Sequence, residues 1–270
     1  MAILESRTKT GLSWVKESIA LFKTQPSRWM LLAIAYVGIF MMLPSLPGLG
    51  IFALLSVLIW PIFIAFAVML YRNAEFGKQE TVQAVLSKIQ PKFTVLMLLG
   101  AACLVYATLA TYLLNSDIQG LMTFADKGAQ MSESEYVKFM AKFTPFLLKL
   151  LLLLVPLFIA TWFAPVLIVV NNYPLAKAIK SSIAGVLQYM IAMGAAWLVL
   201  SAGIMGLMLA IGLLIGIVGA LVPVLAQALM PMLVFGCLLL ATALMFAFQY
   251  VSYRDVFRAA GVEPAEKVNP

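Results

Sequence analysis

The side chains with reactive potential are few and scattered. Asp117, Asp126, Glu133 and Glu135 share one hydrophilic stretch, so two of them could act as a general acid and base. They have no partner base nearby, and a solvated loop accounts for them without catalysis. Histidine is absent, which removes the commonest general base and the commonest transition-metal ligand. Cys103 and Cys237 both fall inside long apolar runs and read as small buried hydrophobes, not as a disulfide or metal pair. The motifs G-x-S-x-G, H-E-x-x-H and G-x-x-x-x-G-K-[ST] do not occur. The reading is a non-enzyme with no catalytic, cofactor-binding or metal-binding residues and no cofactor.

Other polar groups lie within apolar segments. Lys149 enters one by a few residues, and its long stem can snorkel to the nearer interface. Ser56, Thr108, Thr111, Thr161, Ser201, Gln227 and Thr242 are too dispersed to mark a pathway. Pro61, Pro156 and Pro165 interrupt such segments, and Pro231 stands near the start of another. Each removes a backbone hydrogen bond, leaving the carbonyls of Val57, Leu152 and Thr161 without their usual partners. Broken helices build solute sites in some transporters. With no charge beside them these prolines read as kinks.

The elements that hold these residues are membrane spans. The chain has 270 residues, of which 64% are hydrophobic and only 11% charged. A helix of about 20 apolar residues crosses the roughly 30 Å hydrocarbon core. Six spans fit: Trp29 to Leu46, Leu49 to Tyr71, Phe93 to Leu114, Thr144 to Val170, and two within Val186 to Tyr253. The last two are expected to part near Gly216–Pro223, with the sixth starting about Ala228 and room for a short re-entrant piece between them. The opening residues contain Glu5, Arg7, Lys9, Lys16, Glu17 and Lys23 and no apolar block, so no cleavable signal peptide is expected. The whole chain, 1–270, reads as one transmembrane domain. It has an amphipathic segment at 1–28, an external loop at 115–143 and a tail at 254–270.

Charge sets the orientation. Arg7, Lys9, Lys16, Lys23, Arg28, Arg72, Lys78, Lys88, Lys92, Lys177, Lys180, Arg254, Arg258 and Lys267 fall on one side. Lys127, Lys138, Lys142 and Lys149 fall on the other. The positive-inside rule then places both termini in the cytoplasm. The net charge of +7 is spread over several loops and forms no dense basic face, so nucleic-acid binding is not expected. Trp29, Phe93, Tyr189, Tyr71, Tyr173, Tyr250 and Tyr253 mark the cytoplasmic span ends and read as an anchoring belt.

A short segment of helical periodicity precedes each odd span. The stripes are Leu12, Val15, Ile19 and Phe22; Val82, Val85, Leu86 and Ile89; and Leu175, Ile179, Ile183 and Val186. Each polar face carries Lys, as in helices that lie in the headgroup plane against anionic lipid. Ser18, Ser87 and Ser181 take similar places in the three units. The architecture expected is all-α and polytopic, with three hairpins each led by an interfacial amphipathic helix. Ser132-Glu-Ser-Glu135 reads as a capping box, followed by a stripe of Tyr136, Phe139, Met140 and Phe143. Gly194, Gly203, Gly206, Gly212, Gly216 and Gly219 crowd the fifth span, where they are expected to let helices of the same bundle approach.

Three segments carry a resemblance. They are Thr161-Trp-Phe-Ala-Pro-Val-Leu-Ile-Val-Val-Asn-Asn172 with Pro174-Leu-Ala-Lys-Ala-Ile-Lys-Ser-Ser182, the ending Tyr250-Val-Ser-Tyr-Arg-Asp-Val-Phe257, and the opening helix Gly11 to Pro26. Together they resemble a set of proteobacterial six-helix inner-membrane proteins. That set is distantly like the YciC-type proteins and the membrane domains attached to glycerophosphodiester phosphodiesterases. The resemblance implies a bacterial inner-membrane location and no activity or site residues. These 270 residues are not expected to include a phosphodiesterase domain, so that reaction is not carried over. The functional expectation is a non-enzymatic envelope protein that organises lipid or assists partner proteins, touching anionic headgroups at the cytoplasmic face. The alternative is a transporter, channel or scramblase for an apolar or lipid-like solute.

Overall fold

The structure, a computed structural model, describes residues 2–78, 80–124 and 131–259. Among them every regular element is helical. The order is α1 (Ala2–Thr24), α2 (Pro26–Val37), a π turn (Gly38–Met42), α3 (Leu43–Ser45), α4 (Ile51–Glu75) and α5 (Val82–Ile89). There follow α6 (Phe93–Met122), α7 (Glu133–Thr161), α8 (Ala164–Val170), α9 (Leu175–Gln188), α10 (Met190–Leu221) and α11 (Pro223–Ala259). Six stretches are long and apolar enough to cross a membrane: Pro26–Ser45, Ile51–Glu75, Val82–Met122, Glu133–Val170, Met190–Leu221 and Pro223–Arg258. Asp126, Lys127 and Lys267 lie outside the described residues.

Local chemistry explains several helix ends. Pro26 opens α2, where its missing N–H costs nothing. Thr81 caps α5 by accepting from the Ala84 N–H at 3.2 Å. The capping box before α7 is formed: Ser132 Oγ accepts from the Glu135 N–H and Glu135 Oε2 accepts from the Ser132 N–H. After α4, Gly77 turns left-handed at φ 65°. The Lys78 N–H then reaches back to the Asn73 carbonyl at 2.8 Å, and the Gly77 N–H to that of Ala74.

The helix boundaries differ from expectation in four places, one of them the end of α6, which runs on to Met122 past the expected Leu114. The fifth and sixth spans are separated by Val222 alone, and α11 begins at Pro223, not Ala228. The turn is tight enough that a Cβ at Gly219 would lie 2.6 Å from that of Ala226. The fourth span is two helices, interrupted at Trp162 and Phe163, with Pro165 in the first turn of α8. The sixth span does not end at Tyr253, because α11 continues through Ala259.

The core gathers at one end. Trp14, Trp29, Tyr71, Phe163, Phe246 and Tyr250 are wholly buried there. At the other end Leu46, Ile51, Leu113, Leu152, Leu213 and Leu221 are exposed. Such exposure has no penalty against lipid tails, which are as apolar as leucine.

The aromatic belt is corrected for four of its members. Trp29, Tyr71, Tyr250 and Tyr253 are wholly buried and do not face outward. Trp29 stacks on Tyr71 with centroids 3.8 Å apart, and the Tyr71 hydroxyl donates to the Ala243 carbonyl at 2.8 Å. An aromatic ring with a polar tip suits an interface. It also suits a core that offers its tip a partner.

Four of the six glycines of α10 are corrected as well, whereas Gly212 and Gly219 face α11 as expected. A Cβ at Gly194, Gly203, Gly206 or Gly216 would meet nothing within 4 Å. Apart from Gly219, which meets Ala226 of α11, the close approaches occur elsewhere. At Gly11 of α1 a Cβ would lie 2.3 Å from the Ala192 carbonyl oxygen of α10. At Gly100 of α6 it would lie 2.5 Å from that of Leu58 and 2.8 Å from that of Val57. Val57 is the carbonyl that Pro61 leaves without its helical donor, so Gly100 lets α6 press against α4 at the kink.

Candidate functional site: a charged clasp, a bridged helix break and an apolar cleft

The three periodic segments are helices; α1 and α9 bury a face offset from the aliphatic stripe, whereas α5 buries two members of its own stripe. In α1 the buried positions are Gly11, Trp14, Val15, Ser18 and Leu21, while Leu12 is exposed. In α9 they are Ala178, Ser182, Gly185 and Val186. In α5 they are Val85 and Ile89. Ser18 and Ser182 are thus core residues, whereas Ser87 is exposed and Ser181 is not the buried serine of its helix.

A charged clasp joins three elements at the packed end. Arg254 of α11 pairs with Glu17 of α1 and Glu75 of α4, and its Nε donates to Asp255 at 2.8 Å. The Tyr250 hydroxyl, one helical turn earlier, also donates to Glu75. The Trp14 indole N–H donates to Asp255 at 2.9 Å. The Arg254 side chain is only 11% exposed. A guanidinium presents five donors in a fixed fork, so one cation can hold several carboxylates from different helices. Sequence reasoning missed the clasp because its members stood in segments read as separate loops.

A second polar cluster bridges the break in the fourth span. The Phe163 N–H donates to Ser182 Oγ at 3.0 Å, and that hydroxyl donates to the Ile159 carbonyl at 2.9 Å. Ser182 therefore stands in for the missing helical bond between Phe163 and Ile159. The Gln249 side-chain amide of α11 donates to the Trp162 carbonyl at 2.5 Å. Beyond the break, Asn172 closes α8 at φ 54°, and Asn171 accepts from the Tyr253 hydroxyl at 2.6 Å.

The break opens onto a cleft. Three cavities of about 300, 360 and 330 Å³ follow one another through the bundle. The first lies between α10 and α11, beside Trp197, Met205, Ala241 and Phe248. The second is central, beside Trp60, Thr161, Trp162 and Gln249, and shares Trp197 and Met245 with the first. The third reaches Phe40 in the π turn, Cys103 and Ala107, and shares Tyr36, Trp60, Leu157 and Thr161 with the second. No Asp, Glu, Lys or Arg lines any of them. Cavities of this size and composition suit small apolar ligands.

The described acidic residues of the 115–143 segment, Asp117, Glu133 and Glu135, form no acid–base pair. Asp117 pairs with Lys149 at 2.9 Å, and Glu135 serves the cap of α7. Lys149 is thus paired across α6 and α7. Cys103 and Cys237 are buried free thiols. Among the described residues, no three His, Cys, Asp or Glu side chains gather to hold a metal ion.

Between α4 and α5 a smaller polar knot holds the turn. Glu80 accepts from Asn73 at 3.1 Å and pairs with Lys88. The hydrogen bond and charge of Lys88 hold the Glu80 carboxyl below its ordinary pKa of 4.5, with smaller help from Asn73 and Lys78 against partial desolvation.

Together these features define a multi-pass, all-helical protein of membrane type with a charge-free cleft. Compared with family models, curated proteins and solved structures, the chain has no match.

Proposed function

We propose that this chain is a non-enzymatic, multi-pass protein of a bacterial inner membrane that takes a lipid chain or a comparably apolar solute into its cleft. The observation that carries the reading is the run of three cavities with shared walls and no charged lining residue. A charge-free interior is unsuited to ions, because a bare charge in hydrocarbon is costly. It suits hydrocarbon. Pro61 in α4 and the bridged break in the fourth span border the cleft and supply the bent helices between which it lies.

In this reading both termini face the cytoplasm, which the side-to-side bias of basic residues supports; three of the helices that carry them, α1, α4 and α11, meet at the packed end through the Arg254 clasp. The aliphatic stripes of α1, α5 and α9 are only partly buried, as those of interfacial helices would be. Lys177 and Lys180 flank a shallow hollow on α9 that fits an anionic headgroup. Three helical hairpins, each led by one of these helices, remain our reading of the arrangement.

A photoreactive alkane tests the cleft in membranes. Labelling concentrated on Trp197, Met205, Phe40 and Ala107 supports the reading. Labelling spread evenly over all lipid-facing residues overturns it.

A second reading is favoured by the outward glycines of α10: a partner helix could lie on that face, where small residues permit close approach. Gly203→Leu would abolish capture of a defined partner and leave alkane labelling unchanged if this reading holds.

A further inference from the structure

The cleft is sealed at one end and open at the other. Toward the packed end its lining residues Ile64, Thr161, Trp162, Phe248 and Gln249 are buried. Away from that end Leu154, Phe158, Ser201, Met205 and Met208 are exposed. The opening is sideways. Among the described residues α7 packs along α6 and α9, and α10 along α1 and α11. The walls that α7 and α10 give the central cavity therefore face each other without packing along each other. Between them the Phe158 ring meets Trp197 edge-on, with centroids 6.3 Å apart. Trp197 lines both the first cavity and the central one and stands at their junction.

The depth of the first cavity matches one leaflet. It is a groove between α10 and α11, and its α10 wall runs from Trp197 to Met208, a rise of about 16 Å at 1.5 Å per residue. Tyr189 caps α10 at the packed end, where its ring meets Trp14. Trp197 is eight residues further on, about 12 Å into a hydrocarbon core roughly 30 Å thick. Met208 is about 28 Å in by the same measure. The groove thus covers the half of the membrane remote from the Arg254 clasp.

We infer that the groove holds an acyl chain of a phospholipid in the leaflet remote from the clasp, with its terminal methyl reaching past Trp197 into the central cavity. This inference rests on the cleft being a binding site. In the orientation proposed above, that leaflet is the outer one. Both ends of such a lipid meet a matching environment. The chain lies against apolar side chains, with Ser201 the one hydroxyl in the groove. The phosphate stays at the surface beyond Met208, since no Lys or Arg lines the cavities to neutralise it there. A lipid of the other leaflet would have to pass the sealed end, where Gln249 is fixed on the Trp162 carbonyl and Phe248 packs on the Trp162 ring.

Two phosphatidylcholines test this in vesicles that hold the full chain. One carries a diazirine at the end of an acyl chain, the other next to the ester, and the adducts are mapped by mass spectrometry after illumination. Leu198 and Leu209 neighbour Trp197 and Met208, are exposed and line none of the three cavities, so they report ordinary boundary lipid. The chain-end probe is expected to mark Trp197 and Met245 at least about tenfold above Leu198, and the ester-end probe to mark Met208 about tenfold above Leu209. Ala241→Trp fills the groove. It should abolish both excesses and leave Leu198 and Leu209 labelled, which also shows that the variant is inserted. An excess that survives in the variant overturns the inference. So does the reverse polarity, with the ester-end probe on Trp197. The wild-type pattern decides the matter even if the variant does not fold. No excess for either phospholipid, while a photoreactive alkane still concentrates in the cleft, overturns the inference and leaves the cleft reading standing. If the alkane shows no excess either, the cleft reading falls too.

Discussion

Arg254 of α11 and Glu17 of α1 lie 237 residues apart in the chain and form an ion pair that fastens the first helix to the last. The same guanidinium reaches Glu75 on α4. Removing one partner of a mostly buried charge cluster leaves the others uncompensated. Arg254→Met is expected to destabilise the protein by about 3 kcal/mol or more. Glu17 is 43% exposed, so Glu17→Gln should cost under about 1 kcal/mol, because water screens a surface pair. Glu75→Gln should fall between the two, since Glu75 is 26% exposed and also accepts from Tyr250. Thermal unfolding of the three variants in detergent checks the order. Equal losses would show that Arg254 does not act as the shared cation.

Ser182 gives a second prediction. Its hydroxyl serves Phe163 and Ile159 at once, so Ser182→Ala leaves a buried N–H and a buried carbonyl unpaired. The expected cost is about 1–3 kcal/mol. Ser181→Ala, one position away on the same helix, should cost almost nothing. Amide exchange at Phe163 should speed up in the first variant only.

The six spans were legible because length and hydropathy alone set them, and the capping box at Ser132 and Glu135 was legible because it is local. The clasp was not legible. Glu17 is distant from Arg254 in sequence, and the basic residues beside it had been counted only as topology markers. Tyr71 and Tyr250 were misread for a related reason. A ring with a polar tip at a span end looks alike whether the tip meets a headgroup or the Ala243 carbonyl. The glycines of α10 follow the small-residue pattern of a packing face, yet periodicity does not say which side of a helix the bundle occupies. Ser182 is hidden behind its neighbour in the sequence because the aliphatic stripe of α9 points to a different buried face, and the true face is turned from it.

The two kinds of glycine can be separated by substitution. Gly100→Ala drives a Cβ into backbone carbonyls that cannot move independently of α4, so a loss of about 1–3 kcal/mol is expected. Gly203→Ala meets nothing within 4 Å and should be neutral or slightly stabilising in the isolated chain. Side-by-side melting curves decide it, and similar losses for both would contradict the packing described here.

Glu80 gives the pH dependence. Its folded pKa lies below the ordinary 4.5. The unfolded chain therefore binds the proton more readily, and the contribution of Glu80 is complete above 4.5. It fades as pH falls through the lower folded value. The turn between α4 and α5 should loosen in acid, read as faster amide exchange at Val85 after correction for the intrinsic rate. Glu80→Gln should remove that pH dependence. Acid loosening that persists in the variant would assign it to another group.

The central claim is that the cleft holds an apolar chain. Native mass spectrometry of the protein released from lipid discs measures this directly. The account predicts one retained long-chain molecule per protein, reduced at least about tenfold in occupancy when Ala107→Trp or Ala241→Trp fills the cavities those residues line. A protein that leaves the discs empty, or plugged variants that retain the molecule as fully as the wild type, would contradict it.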